Sequence, residues 1–494
     1  MSKELWYEDR LLIDGKLVAA SGGATFDNIN PATEQTIGVA ADASKADMDA
    51  AIGAARHAFD TSEWATDVSL RTRALRQFID ALRAKEQQLR PTMVAEVGCT
   101  VKSTESSQTK TPLDGANWVV DFAESYSWER DLGYSEPFGV PSLRRVQKEP
   151  VGVVAAITPW NYPLQVNLAK VLPAMAAGCT VVLKPAPDTP WTGALLGQIA
   201  AEATDLPPGV FNVVTSSDHT LGQQLVEDPR VDLVTFTGST ETGSKIMTAA
   251  AASIKRLFLE LGGKSACVVL DDADLSNAAT FVAHNVTSHA GQGCAITSRI
   301  ILPRSRFSEG LEAVTEAVRA VPYGDPIDPD NVYGPLISDR QRTRVLGLVA
   351  GGIHDGAKVA LGGGRPQHLD VGYYVEPTVF YDVHPDAAIS QQEVFGPVLV
   401  VLAHDGDDDA MDIANNSAYG LSGAVFSTDV ERARKCAQRM RVGTVSLNGG
   451  SWYGADMPFG GYRRSGFGRE SGREGFEEYL QTKSVAALAG WDGP

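Results

Sequence analysis

The amino-acid sequence predicts an α/β protein that divides into two or three domains built on parallel sheets. At 494 residues the chain is too long to fold around one hydrophobic core. Across residues 151–260, short apolar runs alternate with helical segments, which is typical of parallel strands joined by crossover helices. A second region of the same character begins at Ala266 and runs to about Phe459.

Two helices are expected before the first sheet. Ser44 and Asp47 match a capping box, and apolar residues then repeat at helical spacing over residues 48–59. A second apolar stripe covers residues 75–89 of an otherwise charged segment. We interpret both segments as packing helices without chemistry of their own.

The first sheet is expected to contain five short strands, at residues 151–157, 180–184, 210–214, 233–237 and 257–260. In an open parallel sheet, ligands bind beyond the carboxyl ends of the strands. Several chemically useful residues fall at such ends, namely residues 158–161, Lys184, Gly238 with Ser239, and Glu260. This edge of the sheet is therefore the predicted ligand site.

The composition excludes several classes of function. With 61 acidic and 43 basic side chains, the formal charge of −18 argues against a nucleic-acid surface and against attraction to anionic membranes. The first ten residues lack the apolar segment of a signal peptide, so a cytoplasmic protein is expected. The five cysteines are odd in number and lack the spacing of zinc sites, which predicts reduced thiols and no bound metal.

Two motifs carry the predicted chemistry. Gly291-Gln292-Gly293-Cys294 presents one cysteine among glycines, which leaves room for a substrate carbonyl. Glu260 opens the sequence Glu260-Leu261-Gly262-Gly263-Lys264, where a carboxylate could activate water. The pair predicts attack by a thiol followed by hydrolysis.

The chain resembles the aldehyde dehydrogenase superfamily at these two motifs and at four others. The further matches are Pro159-Trp160-Asn161-Tyr162-Pro163, Phe236-Thr237-Gly238-Ser239, Glu393-Val394-Phe395-Gly396-Pro397 and Pro458-Phe459-Gly460-Gly461. They occur in the family's order across about residues 10–485. The resemblance implies oxidation of an aldehyde to a carboxylic acid with NAD(P)+, through a cysteine thiohemiacetal and a thioester.

The resemblance also implies a three-part architecture. Residues 1–126 and 151–261 would form a Rossmann-like dinucleotide-binding domain, and residues 262–460 a catalytic domain. Residues 127–150 and 461–494 would form small β segments for oligomerisation. A homodimer or homotetramer is expected.

Three residues are assigned to catalysis by the same resemblance. Cys294 would be the nucleophile, Asn161 would bind the oxyanion together with the Cys294 backbone N–H, and Glu260 would activate water. Each has an ordinary alternative: a small buried hydrophobe for the cysteine, a turn residue for Asn161 and a backbone cap for Glu260. The ordinary interpretation is kept for the other cysteines, which are Cys99, Cys179, Cys267 and Cys436. Glu470 resembles a position that relays protons or holds structure.

The cofactor is predicted to be NAD, with NADP as an alternative acceptor. Gly238 to Gly243 follows a strand and opens a helix, where backbone N–H groups and the Ser239 hydroxyl could meet a pyrophosphate, although such runs also make plain helix caps. The other cofactor residues implied by the resemblance are Thr158, Pro159, Trp160, Lys184, Glu393 and Phe395. Many NAD-preferring relatives carry a glutamate where this chain has Pro187, with Asp188 next. A kinase-like phosphate loop fails on spacing, because Phe258 stands where a glycine is needed.

The substrate is predicted to be a neutral aliphatic or aromatic aldehyde. The side chains expected along the substrate tunnel are apolar or small: Val166, Ala169, Gly293, Ala295, Trp452 and Tyr453. An inward turn of Arg463 or Arg464 would change this expectation. Two other functions compete: acyl transfer to coenzyme A, against which Glu260 argues, and a catalytically silent structural protein, against which the joint presence of cysteine, asparagine and glutamate argues.

Overall fold

The computed structural model describes residues 5–490 and confirms the predicted α/β fold with parallel sheets. The ends of the first and last predicted segments, residues 1–4 and 491–494, lie outside the described residues. Strands and helices alternate along most of the chain, and they assemble into two large sheets and two small ones.

The described residues contain twenty strands: β1 (Leu11–Ile13), β2 (Lys16–Val18), β3 (Thr25–Asn30), β4 (Gln35–Ala41), β5 (Glu129–Ser135), β6 (Ser142–Pro150), β7 (Val153–Ile157), β8 (Thr180–Lys184), β9 (Phe211–Val213), β10 (Leu233–Thr237), β11 (Arg256–Glu260), β12 (Ser265–Val269), β13 (Thr297–Pro303), β14 (Lys358–Leu361), β15 (Thr378–Tyr381), β16 (Val398–His404), β17 (Ser422–Phe426), β18 (Thr444–Leu447), β19 (Gly466–Phe467) and β20 (Leu480–Leu488). Each predicted strand of the first sheet coincides with one of β7 to β11 or differs by one or two residues at its ends.

The same part of the chain contains sixteen α-helices: α1 (Lys45–Thr61), α2 (Val68–Ala84), α3 (Glu86–Val97), α4 (Val101–Thr104), α5 (Lys110–Ser125), α6 (Pro163–Ala177), α7 (Pro190–Ala203), α8 (Thr220–Glu227), α9 (Thr240–Ala250), α10 (Leu275–Thr287), α11 (Phe307–Arg319), α12 (Asp339–His354), α13 (Ala388–Gln391), α14 (Asp407–Asn415), α15 (Val430–Arg439) and α16 (Gly472–Glu477). The predicted capping box is present, because the Ser44 and Asp47 side chains each bond the other's backbone N–H at the start of α1. Among residues 5–490, we find no helix with the length and apolar character needed to span a bilayer.

The first large sheet has eight strands in the order β19-β11-β10-β7-β8-β9-β1-β2. Its five central strands run parallel, and β19 and β1 add to its sides in antiparallel orientation. Side chains of β7 alternate between two hydrophobic cores, with Val153 and Ala155 on one face and Val154 and Ala156 on the other. Burial on both faces explains why the predicted strands appear as continuous apolar runs.

The second large sheet has seven strands in the order β14-β15-β16-β13-β12-β17-β18 and one core of its own. All neighbours in it are parallel except β14 with β15. The connection between the two sheets is short, because β11 ends at Glu260 and β12 begins at Ser265. Residues 261–264 therefore bring the carboxyl edge of the first sheet directly against the second.

A separate three-stranded antiparallel sheet has the order β20-β6-β5. It combines part of the predicted oligomerisation segment 127–150 with residues 480–488 near the end of the chain. The earlier part of the predicted segment 461–494 packs elsewhere, since β19 pairs with β11 in the eight-stranded sheet and α16 packs against α6. The domain roles themselves stay predictions.

Candidate active site

Glu260 lies at the carboxyl end of β11, in register with Thr237 of β10 and Gly466 of β19. Its side chain is buried, and neither carboxylate oxygen has a hydrogen-bond partner among residues 5–490. The alternative role as a backbone cap is therefore not seen. A Cβ at Gly460 would lie 2.7 Å from Glu260 Oε1, so the absence of a side chain there makes room for the carboxylate.

Burial raises the pKa of Glu260 well above its ordinary value, and the negative charge of Glu470 raises it further, while Lys170 and Arg469 oppose the shift. The site therefore favours the protonated form of this carboxyl group more than water does. Its environment is the one expected of a group that exchanges protons during a reaction.

A buried ion pair that the sequence analysis missed lies behind Glu260. Lys170 on α6 donates from Nζ to Glu470 Oε1 at 3.1 Å and to Thr235 Oγ1 at 3.0 Å. The ammonium group also lies 4.7 Å from the centroid of the Phe258 ring. A single charge inside the otherwise apolar run of α6 was the available signal, because a lysine is rarely buried without a partner.

Cys294 is half-buried, whereas the other four cysteines are buried and all five are free. It lies in the loop between α10 and β13, and two close approaches fix that loop. A Cβ at Gly291 would come within 2.1 Å of the Gly396 carbonyl, and one at Gly263 within 2.6 Å of the Cys294 carbonyl oxygen. Glycine is thus required on both sides, and Cys294 is held against the connection between the sheets.

The backbone leading to Cys294 is strained. His289, Ala290 and Gly291 have consecutive positive φ angles of 47°, 54° and 75°. Such angles are costly for residues other than glycine and persist where the surrounding structure imposes them. Here they turn the chain after α10 so that Cys294 faces the carboxyl edge of the first sheet.

Three carboxyl groups lie near enough to the Cys294 thiol to affect its pKa. Burial raises its pKa above the ordinary value, and Glu260, Glu393 and Glu470 raise it further. The neutral thiol is therefore the prevailing form in the absence of a ligand. Cys294 and Glu260, predicted from distant motifs, are thus brought to one site.

Asn161 lies in the loop between β7 and α6 and is buried. Its Nδ2 donates to the Gln292 carbonyl at 2.7 Å, and its own carbonyl accepts from Gln108 Nε2 at 2.9 Å. The side chain therefore reaches across to the Cys294 loop and does not satisfy its own backbone. Because an amide nitrogen has two N–H groups, one remains for a ligand.

The predicted ribose-binding residue Lys184 is buried at the end of β8, not solvated. Burial lowers its pKa to about 8, and Asp218 and Asp42 oppose that shift. Its carbonyl accepts from the Thr158 backbone N–H at 3.2 Å, which joins the ends of β7 and β8. The Thr158 hydroxyl is buried and has no partner among the described residues.

The predicted phosphate loop opens α9 as expected. Ser239 is the N-cap residue, and its Oγ accepts from the Thr242 N–H at 3.1 Å, so the hydroxyl takes the capping role weighed as an alternative. A Cβ at Gly243 would lie 2.6 Å from Leu261 Cδ2, and one at Gly238 would lie 2.4 Å from Phe236 Cζ. The glycines allow close packing at the start of α9.

Glu393 contacts the connection between the sheets. The Gly263 N–H donates to Glu393 Oε1 at 2.9 Å, and a Cβ at Gly262 would lie 2.2 Å from Oε2. Burial raises the pKa of Glu393 to about 7, against the Gly263 hydrogen bond and the nearby cations Arg344 and Lys264. The glycine pair after Glu260 thus makes room for a second carboxylate.

The Phe395 ring meets the Trp160 ring edge to face, with centroids 5.4 Å apart and planes at 87°. Phe395 has a φ of 57°, and its carbonyl accepts from Gln341 Nε2 at 2.8 Å. This contact joins the loop after β7, which also contains Pro159, to the loop before β16. The predicted cofactor residues therefore line both sides of the junction between the sheets.

Asp188 follows Pro187 and is half-buried near the end of β8. Its Oδ2 lies 3.9 Å from Arg340 Nη2. Burial raises the pKa of Asp188, while Arg340 and His219 lower it. A carboxylate is thus present one position beyond the one that the family pattern uses.

Four of the six predicted substrate residues lie on α6 or next to Cys294 in the chain. Val166 and Ala169 are on α6, Gly293 and Ala295 flank Cys294, and Trp452 stacks on Phe459 with centroids 5.2 Å apart. Ala169 and Tyr453 line a cavity of about 230 Å³. Arg463 and Arg464 are both exposed, and Arg463 donates to the carbonyls of Asn415 and Ser417.

The comparisons with known proteins agree with this geometry. The model of the aldehyde dehydrogenase family matches residues 17–485. The chain is 40% identical over 480 residues to 3-succinoylsemialdehyde-pyridine dehydrogenase from a Pseudomonas species. The aligned residues cover 97% of this chain and 98% of that protein.

Two solved structures are similar across nearly their whole length. The aldehyde dehydrogenase of Mycobacterium tuberculosis in complex with NAD+ has a TM-score of 0.94 and 40% identity, covering 99% of this chain and 100% of that one. A variant of aldehyde dehydrogenase C from Pseudomonas syringae, in complex with NAD+ and octanal, has a TM-score of 0.93 and 37% identity, covering 99% of both chains. The chain therefore belongs to the aldehyde dehydrogenase family.

Proposed function

We propose that this protein oxidises an aldehyde to a carboxylic acid with NAD+, using Cys294 as the nucleophile and Glu260 to activate water. The observation that carries the proposal is the buried Glu260 carboxylate, which has no hydrogen-bond partner among the described residues and lies at the same site as the half-buried Cys294. A buried carboxylate without a partner lowers the stability of the fold, so its presence here is best explained by a function.

The residues at the junction fit a nicotinamide dinucleotide. The buried ammonium of Lys184 and the unpartnered Thr158 hydroxyl offer donors for a ribose, and the first turn of α9 after Gly238 offers N–H groups for a pyrophosphate. Glu393 and Phe395 would hold the nicotinamide end. When bound, NAD+ would supply the hydride acceptor.

The choice between NAD and NADP depends on Asp188. Its carboxylate would disfavour a 2′-phosphate, but it follows the family position by one residue and Arg340 lies nearby. We therefore retain NADP as an alternative acceptor and NAD as the principal one, in line with the two NAD+-bound structural neighbours.

In the first step, the Cys294 thiol would release its proton to solvent, its sulfur would attack the aldehyde carbon, and the carbonyl oxygen would become an oxyanion. The free N–H of the Asn161 amide and the Cys294 backbone N–H would stabilise this charge, each by on the order of 3 kcal/mol. Collapse of the oxyanion would re-form the carbonyl group, transfer the hydride to the acceptor that NAD+ would supply, and leave a thioester on Cys294.

In the second step, Glu260 takes a proton from water while the water oxygen attacks the thioester carbon. The carbon–sulfur bond breaks, the carboxylic acid leaves, and the proton held by Glu260 passes to the Cys294 sulfur, which restores the thiol and the Glu260 carboxylate. Glu470 and Lys170 would act through Glu260, because their charges shift its pKa in opposite directions.

Replacement of the nucleophile tests the first step. We expect Cys294→Ala to reduce NAD+ turnover to background while NAD+ binding, followed by calorimetry, is retained. The matched control is Cys436→Ala, since Cys436 is buried in α15 outside the site, and this variant should keep its turnover. Turnover above background in Cys294→Ala would remove the thiol from the mechanism.

Replacement of the base tests the second step. We expect Glu260→Gln to release about one NADH per chain in a burst and then stall, because the thioester forms but water is not activated. The control is Glu312→Gln, at an exposed position of α11. Steady turnover equal to wild type would contradict the role of Glu260, and production of an acyl-coenzyme A in a coupled assay would favour the acyl-transfer alternative.

Lys170 and Glu470 have opposite charges beside Glu260, so removing one or the other should shift the pH profile of hydrolysis in opposite directions. Since the Glu260 pKa is raised, its basic form is gained as pH rises through that pKa, and hydrolysis should accelerate on the same limb. Lys170→Met should move this limb to higher pH and Glu470→Gln to lower pH, each by about one unit. The measurement is the pH profile of kcat, taken under conditions in which thioester hydrolysis limits the rate. If both variants shifted this profile in the same direction, Glu260 would not be the base that Lys170 and Glu470 influence.

We further propose that the three-stranded sheet mediates a homodimer or homotetramer. Several large apolar side chains are exposed on it or on its turn: Leu132, Tyr134, Phe138, Val140, Leu143, Val485 and Leu488. An apolar surface of this kind is typical of an oligomer interface.

The five free cysteines support the predicted cytoplasmic location.

Light scattering tests the proposed assembly. We expect a mass of at least twice the 52.6 kDa of one chain, and a shift towards one chain for Leu143→Asp, because a charge would be buried in the interface. The control is Ile254→Asp, since Ile254 is 93% exposed and lies outside this sheet. A wild-type mass of one chain would refute the interface.

A further inference from the structure

His289 is a buried side chain of the Cys294 loop to which the proposed mechanism gives no role. It is 6% exposed and lies just after α10, shortly before the nucleophile. Its φ of 47° is in the left-handed region, which histidine adopts more readily than most residues other than glycine, but still rarely. A strained residue persists where the surrounding structure holds it, so the contacts of His289 indicate what it does.

The His289 ring packs against the loop that contains Asn161. It meets the Tyr162 ring at an angle of 65°, with centroids 5.4 Å apart. Burial lowers the pKa of His289 to about 4, and the Asn161 backbone carbonyl opposes that shift. The ring is therefore neutral at neutral pH. Since a carbonyl oxygen only accepts hydrogen bonds, an N–H of the ring is the group that can bind Asn161.

A second side chain holds the same carbonyl. Gln108 Nε2 donates to the Asn161 carbonyl oxygen at 2.9 Å, and this oxygen has two lone pairs, so it can accept from both side chains. Gln108 Oε1 and His289 Nε2 are buried and have no hydrogen-bond partner in the part of the chain that the structure describes. Incomplete hydrogen bonding of this kind lowers the stability of the fold, which favours a role for both side chains in holding Asn161.

The amide side chain of Asn161 is tied to the same loop through Gln292. Asn161 Nδ2 donates to the Gln292 carbonyl at 2.7 Å. The backbone N–H and Nε2 of Gln292 each donate to the His289 carbonyl at 3.1 Å, and its Oε1 accepts from the Ile337 N–H at 2.9 Å. His289 therefore contacts Asn161 with its ring and, with its carbonyl, the residue that holds the Asn161 amide.

These contacts matter because the Asn161 amide must be placed accurately. A donor stabilises an oxyanion when the two heavy atoms lie about 2.7–3.1 Å apart. A misplacement of about 1 Å can lower a rate by about 100-fold. Residues 158–162 lie between β7 and α6, so the place of Asn161 depends on side-chain contacts and not on a helix or strand.

We propose that His289 is a positioning residue that fixes the oxyanion-binding amide of Asn161 relative to Cys294 by contacting the Asn161 carbonyl. The proposal rests on the proposed function, because it assumes that this amide binds the oxyanion. His289 would not touch the substrate, and its effect on the rate would pass entirely through Asn161.

The first test replaces the imidazole by side chains of matched shape or matched hydrogen bonding. His289→Phe keeps a ring against Tyr162 but removes the N–H. We expect it to lower the rate of NADH formation from octanal, in a single turnover with protein in excess, by about 10- to 100-fold. His289→Asn keeps an N–H on a residue that tolerates a positive φ, and it should stay within about threefold of the wild-type rate.

Two controls separate positioning from damage to the fold. His284→Phe, at an exposed position of α10, should keep the wild-type rate. The dissociation constant for NAD+, measured by calorimetry, should be the same for His289→Phe and wild type, because cofactor binding does not use the Asn161 amide. A loss of NAD+ binding that parallels the loss of rate would overturn the proposal, since His289 would then only maintain the shape of the site.

The second test combines the two residues. Asn161→Ala should lower the single-turnover rate by about 100- to 1,000-fold, because one oxyanion donor is removed. Adding His289→Phe to Asn161→Ala should change the rate by less than about twofold, since no amide is left to position. If the two losses multiply, His289 acts independently of Asn161 and the proposal is wrong.

The two levels of the proposal fail differently. If the wild-type protein forms no NADH from propanal, octanal or benzaldehyde, the proposed function is wrong, and so is the role of His289 that rests on it. If it forms NADH and His289→Phe keeps the wild-type rate, His289 has no positioning role while the proposed function stands. Should His289→Phe fail to fold, His289→Gly replaces it in both tests, because glycine adopts a φ of 47° without strain.

Discussion

The short connection between the two large sheets is the constraint on which the site depends. Only residues 261–264 separate β11 from β12, so the carboxyl edge of one sheet must lie against the other. Gly263 then approaches the Cys294 carbonyl and binds Glu393, while Gly262 leaves room for the same carboxylate. A longer or bulkier connection would separate Glu260 from Cys294, and the two halves of the chemistry would no longer share one site.

The same junction explains the electrostatic state of the site. Burial favours the neutral forms of Glu260, Glu393 and Cys294, and the charges of Glu260 and Glu393 strengthen that preference at Cys294. The Lys170–Glu470 ion pair adds two opposed charges behind Glu260. The site without ligands therefore favours the protonated forms of these groups more than water does, and a bound cationic nicotinamide would favour the thiolate that attacks the aldehyde.

Much of the fold and part of the site could be predicted from the sequence. Apolar runs gave the strands of the first sheet because both of its faces are buried, and the motifs around Glu260 and Cys294 pointed to groups that the fold brings together. The Lys170–Glu470 pair joins residues that are distant in the chain, so no local pattern contains it. The role of Gly262 and Gly263 in accommodating Glu393 could not be predicted from the sequence either, because the contact forms between two loops that are distant in the chain.

In the proposed mechanism, Cys294 carries the acyl group and Glu260 removes it. The most direct measurement is mass spectrometry of acid-quenched Glu260→Gln protein after exposure to octanal and NAD+, followed by peptide mapping. We expect one octanoyl group per chain of the variant, on the peptide that contains Cys294, and little on the wild-type protein under the same quench. An unmodified chain that still forms NADH, or an acyl group on another cysteine, would contradict this mechanism.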